Sequence, residues 1–192
     1  FQLRVRHVVR HKETGIWHFN LKDPTLDLKA GGSARWVPLH QNLLSLGLIE
    51  ALVEGREENE LLLPEGEAGA EKTDTLNDGE NSPYGSAFGK WFQRFKSYHG
   101  VRADVTFHSF RHSATTLIIN AGAQPNFVEE VIGHESKTRR SEMERYYKGQ
   151  ALIKLKDVID RLILPINIEK MTEAARTGEP HRVSDTRRQL TA

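Results

Sequence analysis

Apolar residues recur at helical spacing in three successive segments between residues 107 and 164. The segments end at Gly122, Gly133 and Pro165, and these are residue types that stop helices. Their apolar stripes consist of Phe110, Ala114, Leu117, Ile118 and Ala121; then Phe127, Val128, Val131 and Ile132; then Leu152, Leu155, Val158, Ile159, Leu162 and Ile163. Because an amphipathic helix has to bury its apolar stripe, the sequence predicts a mainly helical domain.

Two β-rich stretches near the N-terminus add a small sheet to this helical pattern. Residues 16–21 read IWHFNL and residues 35–39 read RWVPL, with turn chemistry in residues 29–33, KAGGS, between them. We predict a small antiparallel sheet within residues 16–39, with Lys29 near its tight connection. The predicted fold class is therefore α+β, mainly helical.

Two further helical patterns lie between the sheet and residue 107. Residues 41–53 predict one mostly buried helix, with apolar positions at Leu43, Leu44, Leu46, Ile49, Leu52 and Val53. Aromatic residues then recur at helical spacing: Tyr84, Phe88, Trp91, Phe92, Phe95 and Tyr98. Such a stripe can pack in a core or stack on nucleic-acid bases, and its regular period favours the core.

The net charge of +1 hides an uneven distribution along the chain. Residues 54–80 contain ten acidic and two basic side chains, so this stretch carries −8 and the remainder carries +9. We expect residues 55–83 to form an acidic surface loop. The basic remainder is compatible with a polyanionic partner, although charge alone is a weak indication of nucleic acid.

The length of 192 residues suits one domain, predicted for residues 1–165, followed by a polar C-terminal tail at residues 166–192. The chain has no cysteine, which excludes disulfides and thiolate metal sites and fits a reducing compartment. It has no apolar run of membrane-spanning length and no signal-peptide pattern. We therefore expect a soluble, cytoplasmic protein with no membrane contact.

The hexad FHSFRH, residues 107–112, places three polar groups on one helical surface. His108 and Arg111 are three residues apart, and His112 is four residues from His108, so all three can converge on one ligand. A zinc site is disfavoured, because the hexad has no glutamate and Arg111 would direct a cation at the metal. Taken alone, the hexad favours ordinary pairing with carboxylates or capping of backbone groups.

The residues around the hexad change that balance, because their order resembles the catalytic domain of the tyrosine recombinases, the phage integrase family. That family's pattern is an Arg, a hairpin Lys, His-x-x-Arg, a Gly-His pair and a nucleophilic Tyr. In this chain Lys29 precedes the hairpin strand, HSFR at 108–111 matches His-x-x-Arg, and Gly133-His134 matches the Gly-His pair. The segment RYYKG supplies Tyr146 or Tyr147, and the resemblance covers residues 1–165.

The resemblance implies a role for each matched residue. Arg111 would bind the nonbridging phosphate oxygens, while His108 and His134 would donate hydrogen bonds to the same phosphate. Lys29 would protonate the departing 5′ oxygen. The nucleophile is assigned to Tyr146, with Tyr147 as second choice, by counting back without gaps from Leu155-Lys156, although the segment after His134 is longer than in many relatives. Such chemistry uses no metal ion and no cofactor.

The first arginine of the family pattern is not found in the chain. It would fall just upstream of Phe1, and we interpret Arg4 and Arg6 as surface residues, so the segment is expected to be impaired in cleavage. The implied function is site-specific DNA recombination or integration, on double-stranded DNA and as a homotetramer. The alternatives are a DNA-binding module that has lost catalysis and a type IB topoisomerase.

Overall fold

The computed structural model describes residues 2–26, 28, 34–63, 86–133, 151–164 and 166–177. These residues form a three-stranded antiparallel sheet, a 3-10 turn at Val5–His7 and seven helices within the described ranges. The strands are β1 (Val8–Arg10), β2 (Trp17–Asn20) and β3 (Trp36–Pro38). The helices are α1 (Gln41–Ser45), α2 (Leu48–Leu52), α3 (Ser86–Tyr98), α4 (Phe107–Asn120), α5 (Pro125–Ile132), α6 (Ala151–Asp160) and α7 (Ile168–Thr177).

The predicted sheet is confirmed and gains a strand at its N-terminal side. The order is β1-β2-β3, with Val8 opposite Phe19 and Phe19 opposite Val37. The sequence did not predict β1, because a strand of three residues is too short to display a two-residue alternation. The α+β, mainly helical fold class is therefore correct, with one more strand than expected.

The single helix predicted for residues 41–53 is wrong, because the chain forms α1 and α2 instead. Gly47 separates them with φ of +77°, in the left-handed region that glycine adopts without steric cost. Residues of both short helices pack beside the sheet on a core formed by Val8, Leu39, Ile49 and Leu62. The apolar periodicity continues across Gly47, but the helix does not.

The predicted acidic surface loop is packed against the protein at its beginning. Leu61 and Leu62 are buried, and Leu61 pairs with Arg4 in an isolated antiparallel bridge. The Arg56 guanidinium donates to the carbonyl oxygens of Leu52 at 3.2 Å and Leu62 at 3.1 Å, which ties this segment to α2. The loop prediction is therefore wrong for residues 61 and 62, and residues 64–83 lie outside the described ranges.

Helices α4, α5 and α6 share the second core as predicted, but Phe110 and Leu117 of the predicted α4 stripe are exposed. Ile118 from α4, Phe127, Val128 and Val131 from α5, and Leu155 and Val158 from α6 are buried together. Helix α6 ends at Asp160 rather than at residue 164, and Ile163 is 78% exposed instead of facing inward. Because the helix stops before Ile163, this residue does not follow the apolar stripe, whereas Leu162 still packs against the core as predicted.

The aromatic stripe of α3 divides into two neighbouring faces, and the core prediction is correct for only one. Phe92 is buried, whereas Trp91, Phe95 and Tyr98 are exposed, the last by 87%. Positions four apart, Phe88 and Phe92, contact Phe107 of α4 with ring centroids 5.3 and 5.8 Å from it. Helical spacing locates a set of aromatic residues on one side but does not distinguish two adjoining faces.

Two histidines are buried beside the sheet. His7 is 1% exposed, with Nδ1 accepting the backbone N–H of Arg4 at 2.8 Å and Nε2 lying 3.3 Å from Thr25 Oγ1. His18 packs edge-on against Trp36 with ring centroids 5.4 Å apart. Burial lowers the pKa of both imidazoles below the ordinary value of 6.5, because the charged form loses hydration.

Part of the predicted polar tail is helical. Helix α7 contacts α1, which attaches Ile168–Thr177 to the sheet side of the protein. Weak apolar patterning concealed this helix. Among the residues that the structure describes, no helix is long and apolar enough to cross a membrane.

Candidate active site

The first turns of α4 carry His108 and Arg111. The helix starts after Thr106, whose backbone N–H donates to Ser109 Oγ at 3.1 Å, one half of a capping box. Because residues three apart in a helix share a face, His108 and Arg111 lie side by side. His112 lies one turn further along, with its ring edge-on to that of His108 and the centroids 4.8 Å apart. The structure thus brings the described residues of the hexad together.

Arg111 is a half-buried cation. Within the described ranges its guanidinium takes part in no hydrogen bond and no ion pair, and His108 beside it is exposed. A guanidinium keeps its charge and offers five N–H donors. The N-terminal end of a helix adds a partial positive charge. The start of α4 is therefore suited to an anionic group such as a phosphate.

Helix α3 supports the segment that leads into α4. Lys96 is almost fully buried, and its Nζ donates to the carbonyl oxygens of Ala103 at 3.2 Å and Val105 at 2.5 Å. Phe92, one turn earlier, packs against Phe107 and Phe110 with ring centroids 5.8 and 5.9 Å away. These contacts fix where α4 begins and therefore where His108 and Arg111 are presented.

A second cation lies at the end of α5. Gly133 ends this helix with φ of +74°, and its N–H donates to Glu129 O at 2.9 Å. The Arg35 Nε, at the start of β3, donates to Val131 O at 3.0 Å. A Cβ atom at residue 133 would lie 2.6 Å from the nearest Arg35 nitrogen, so the guanidinium rests directly on the glycine. The next residue in the chain is His134.

Contacts at the other end of α6 show how these helices are oriented. Arg161 Nη1 donates to Ala121 O at 2.9 Å, which places the C-terminal end of α6 beside the connection from α4 to α5. Helices α5 and α6 pack against each other, and the end of α6 lies beside the start of α5, so we infer that they run in opposite directions. The N-terminal end of α6 consequently lies toward Gly133.

Strand β3 runs in the same direction as α6. Strand β3 packs on α6, and just after it the Gln41 N–H donates to Asp160 Oδ1 at 3.0 Å. The His40 Nε2 lies 3.0 Å from Leu162 O. Since the end of β3 meets the end of α6, the beginning of β3, at Arg35, lies toward the beginning of α6. The start of β3, the end of α5 and the start of α6 therefore share one side of the protein.

Four of the predicted site residues lie outside the described ranges: Lys29, His134, Tyr146 and Tyr147. Their assignments stay predictions. Arg35 was not identified from the sequence, because its contact with Val131 spans 96 residues and no local pattern signals it. Among the described residues no three metal-ligating side chains lie close enough to hold an ion.

Comparison with known proteins identifies the family. The family model described as the phage integrase family matches residues 3–150. No curated protein and no solved structure was found to match the chain. The family match extends over the sheet, helices α1 to α5 and the segment before α6, which includes every residue of the predicted site. The chain therefore belongs to the phage integrase family, the family of the tyrosine recombinases.

Proposed function

We propose that the protein is a site-specific DNA recombinase that cleaves and rejoins double-stranded DNA through a covalent 3′-phosphotyrosine. One observation carries this proposal: the half-buried Arg111 lies beside His108 without a partner in the described ranges, in a chain of the phage integrase family. A cation that has no carboxylate partner among the described residues is suited to an external anion.

The chemistry requires such a cation. A phosphodiester is negatively charged and repels a nucleophile, and further charge develops on its nonbridging oxygens in the pentacovalent transition state. A guanidinium stabilises this charge through two parallel hydrogen bonds and cannot be deprotonated near neutral pH. We assign this role to Arg111, with His108 and His134 as further hydrogen-bond donors to the same oxygens.

The remaining residues of the predicted site account for the nucleophile and both proton transfers of the cleavage step. The Tyr146 oxygen attacks phosphorus and loses its proton to one of the two histidines, while the bond from phosphorus to the 5′ oxygen breaks. Lys29 supplies the proton that the departing 5′ oxygen takes up. The new phosphotyrosine ester keeps the energy of the broken ester, so the reverse attack by a 5′ hydroxyl rejoins DNA without ATP.

The arrangement of the helices supports this assignment. Tyr146 precedes α6 by five residues, which span at most about 18 Å. His134 directly follows Gly133 at the end of α5. The end of α5 and the start of α6 lie on the same side of the protein, which supports the proposal that His134 and Tyr146 act on one phosphate there.

Double-stranded DNA is the proposed partner. The chain outside residues 54–80 carries +9, which favours contact with a polyphosphate backbone. Recombination exchanges strands between two DNA sites, each cut on both strands, so we propose that the protein acts as a homotetramer on DNA.

The test is a nicked DNA substrate from which the strand downstream of the cut diffuses away before it can be rejoined. The full-length gene product should form a covalent complex that leaves a free 5′ hydroxyl on the released fragment. DNA binding without any covalent complex would favour a module that has lost catalysis. Relaxation of supercoiled DNA without strand exchange between two sites would favour a type IB topoisomerase.

A further inference from the structure

The contact between Arg35 and the end of α5 satisfies a group that helices leave without a partner. Val131 belongs to the last turn of α5, where carbonyl oxygens lack the backbone donors of a continuing helix. Arg35 Nε donates to Val131 O at 3.0 Å. The guanidinium also carries positive charge to the negative end of the helix. The start of β3 is thereby attached to the end of α5.

Gly133 makes this contact possible. A Cβ atom there would lie 2.6 Å from one Arg35 nitrogen and 2.7 Å from its Cζ, and real Cβ atoms essentially never approach other atoms so closely. Its φ of +74° would also strain any other residue. The absence of a side chain at residue 133 therefore serves both the turn and the guanidinium that rests on it.

We propose that Arg35 is a positioning residue for His134. The guanidinium holds the Val131 carbonyl in the last turn of α5 and rests on the glycine that ends the helix, so it fixes the point and direction from which the chain continues to His134. This inference rests on the proposed function, in which His134 donates a hydrogen bond to the scissile phosphate. Arg35 acts through that neighbour and does not itself contact DNA.

The protein contains a matched control for this contact. Arg161 donates to Ala121 O at 2.9 Å beside Gly122, which also has a positive φ, of +80°. Arg161 therefore binds the end of α4 as Arg35 binds the end of α5. Its contact lies at the opposite end of α5 from Gly133, so its loss should leave His134 undisturbed.

The first measurement needs neither DNA nor activity. Nuclear magnetic resonance of the His134 imidazole, assigned with a His134→Gln variant, should show shifted or broadened signals in Arg35→Met. The same signals should be unchanged in Arg161→Met. Unchanged His134 signals in Arg35→Met, in a folded protein, would overturn the inference even if the recombinase activity is established.

The second measurement is the rate of covalent-complex formation at saturating DNA. Arg35→Met should slow it by about 10- to 100-fold, because a displacement on the order of 1 Å in a reacting group costs about that much. The rate for Arg161→Met should stay within about twofold of that of the unaltered protein. The DNA affinity of both variants should stay within about threefold, since neither arginine is proposed to bind DNA. An equal loss in both variants would indicate a purely structural role and contradict the proposal.

A substrate with sulfur in place of the bridging 5′ oxygen separates His134 from Lys29. A thiolate leaves without being protonated, so the sulfur corrects a defect in the residue that protonates the leaving group. The Arg35→Met defect should persist with this substrate, and its correction would show that Arg35 acts through Lys29 instead. If Arg35→Met does not fold, Arg35→Lys replaces it, because lysine keeps the charge but not the flat group over Gly133.

Failure of the proposed function has a different signature. If the unaltered protein forms no covalent complex, the recombinase proposal is wrong, and the His134 spectra still decide whether Arg35 positions that residue. If the complex forms and Arg35→Met matches Arg161→Met in rate and spectra, only the inference about Arg35 is wrong.

Discussion

Replacement of Arg111 by alanine tests whether its guanidinium stabilises the transition state. The side chain is half-buried at the start of α4, and in the described part of the chain it has no hydrogen-bond or ion-pair partner. Arg111→Ala therefore breaks no ion pair within the described part of the chain. We expect the free energy of unfolding to change by less than about 1 kcal/mol.

The effect on cleavage should be much larger. A hydrogen bond to a charged group contributes about 1.5–3 kcal/mol, and a guanidinium can make two of them to one phosphate. If both form fully only in the transition state, their loss costs about 3–6 kcal/mol, or about 10²- to 10⁴-fold in rate. The cleavage rate of Arg111→Lys should lie between those of Arg111→Ala and the unaltered protein, because an ammonium keeps the charge but loses the paired donors.

The assay is single-turnover formation of the covalent complex, with DNA affinity measured in parallel. A substrate with a methylphosphonate at the cleaved position provides the decisive control, because a methyl group replaces one charged oxygen. Arg111→Ala and the unaltered protein should cleave this neutral substrate at similar rates. Equal cleavage of ordinary DNA by both proteins, or a loss fully explained by unfolding, would refute the role assigned to Arg111.

Three further predictions concern binding and stability. DNA affinity should fall as salt rises, with a slope of log affinity against log salt of about −0.9 for each phosphate contacted; a flat dependence in a filter-binding titration would contradict a DNA partner. Burial lowers the pKa of His7 and His18, so the unfolded chain binds more protons, and stability measured by urea unfolding should fall as pH drops below 6.5. Stability that is constant from neutral pH down to about 5 would contradict this. Lys96→Met should lower the free energy of unfolding by about 1–3 kcal/mol, because two carbonyls lose their buried donor. The exposed Lys90→Met is its control, and an equal effect of both would show that the buried contacts are unimportant.

The helical core was predictable because its information is local. Leu155 and Val158 recur at helical spacing within one short segment, and Gly133 ends a helix for a reason visible in sequence. The break at Gly47 is a left-handed turn of the backbone across which the apolar spacing continues, and the exposure of Tyr98 depends on which face of α3 meets the rest of the protein. Tertiary packing decides such questions, and one-dimensional periodicity does not contain them.

The candidate site shows the same division. His108 and Arg111 lie three residues apart, so their proximity follows directly from helix geometry. The contact of Arg35 with Val131 joins residues 96 positions apart and is made by a side chain at the start of a short strand. In the sequence, Gly133 is the residue connected with this contact, and its role as a helix stop was sufficient to explain why a glycine is there. The structure was needed to show that the same glycine also makes room for a guanidinium.

The most direct test of the central claim is to identify the residue that becomes attached to DNA. After digestion of the trapped complex by nuclease and protease, mass spectrometry should locate the residual nucleotide on Tyr146. Tyr146→Phe should abolish the complex and leave DNA affinity nearly unchanged, because it removes one hydroxyl group. A complex that persists in Tyr146→Phe and disappears in Tyr147→Phe would move the nucleophile by one residue. A complex that persists in both variants, or a nucleotide attached elsewhere, would contradict the proposed mechanism.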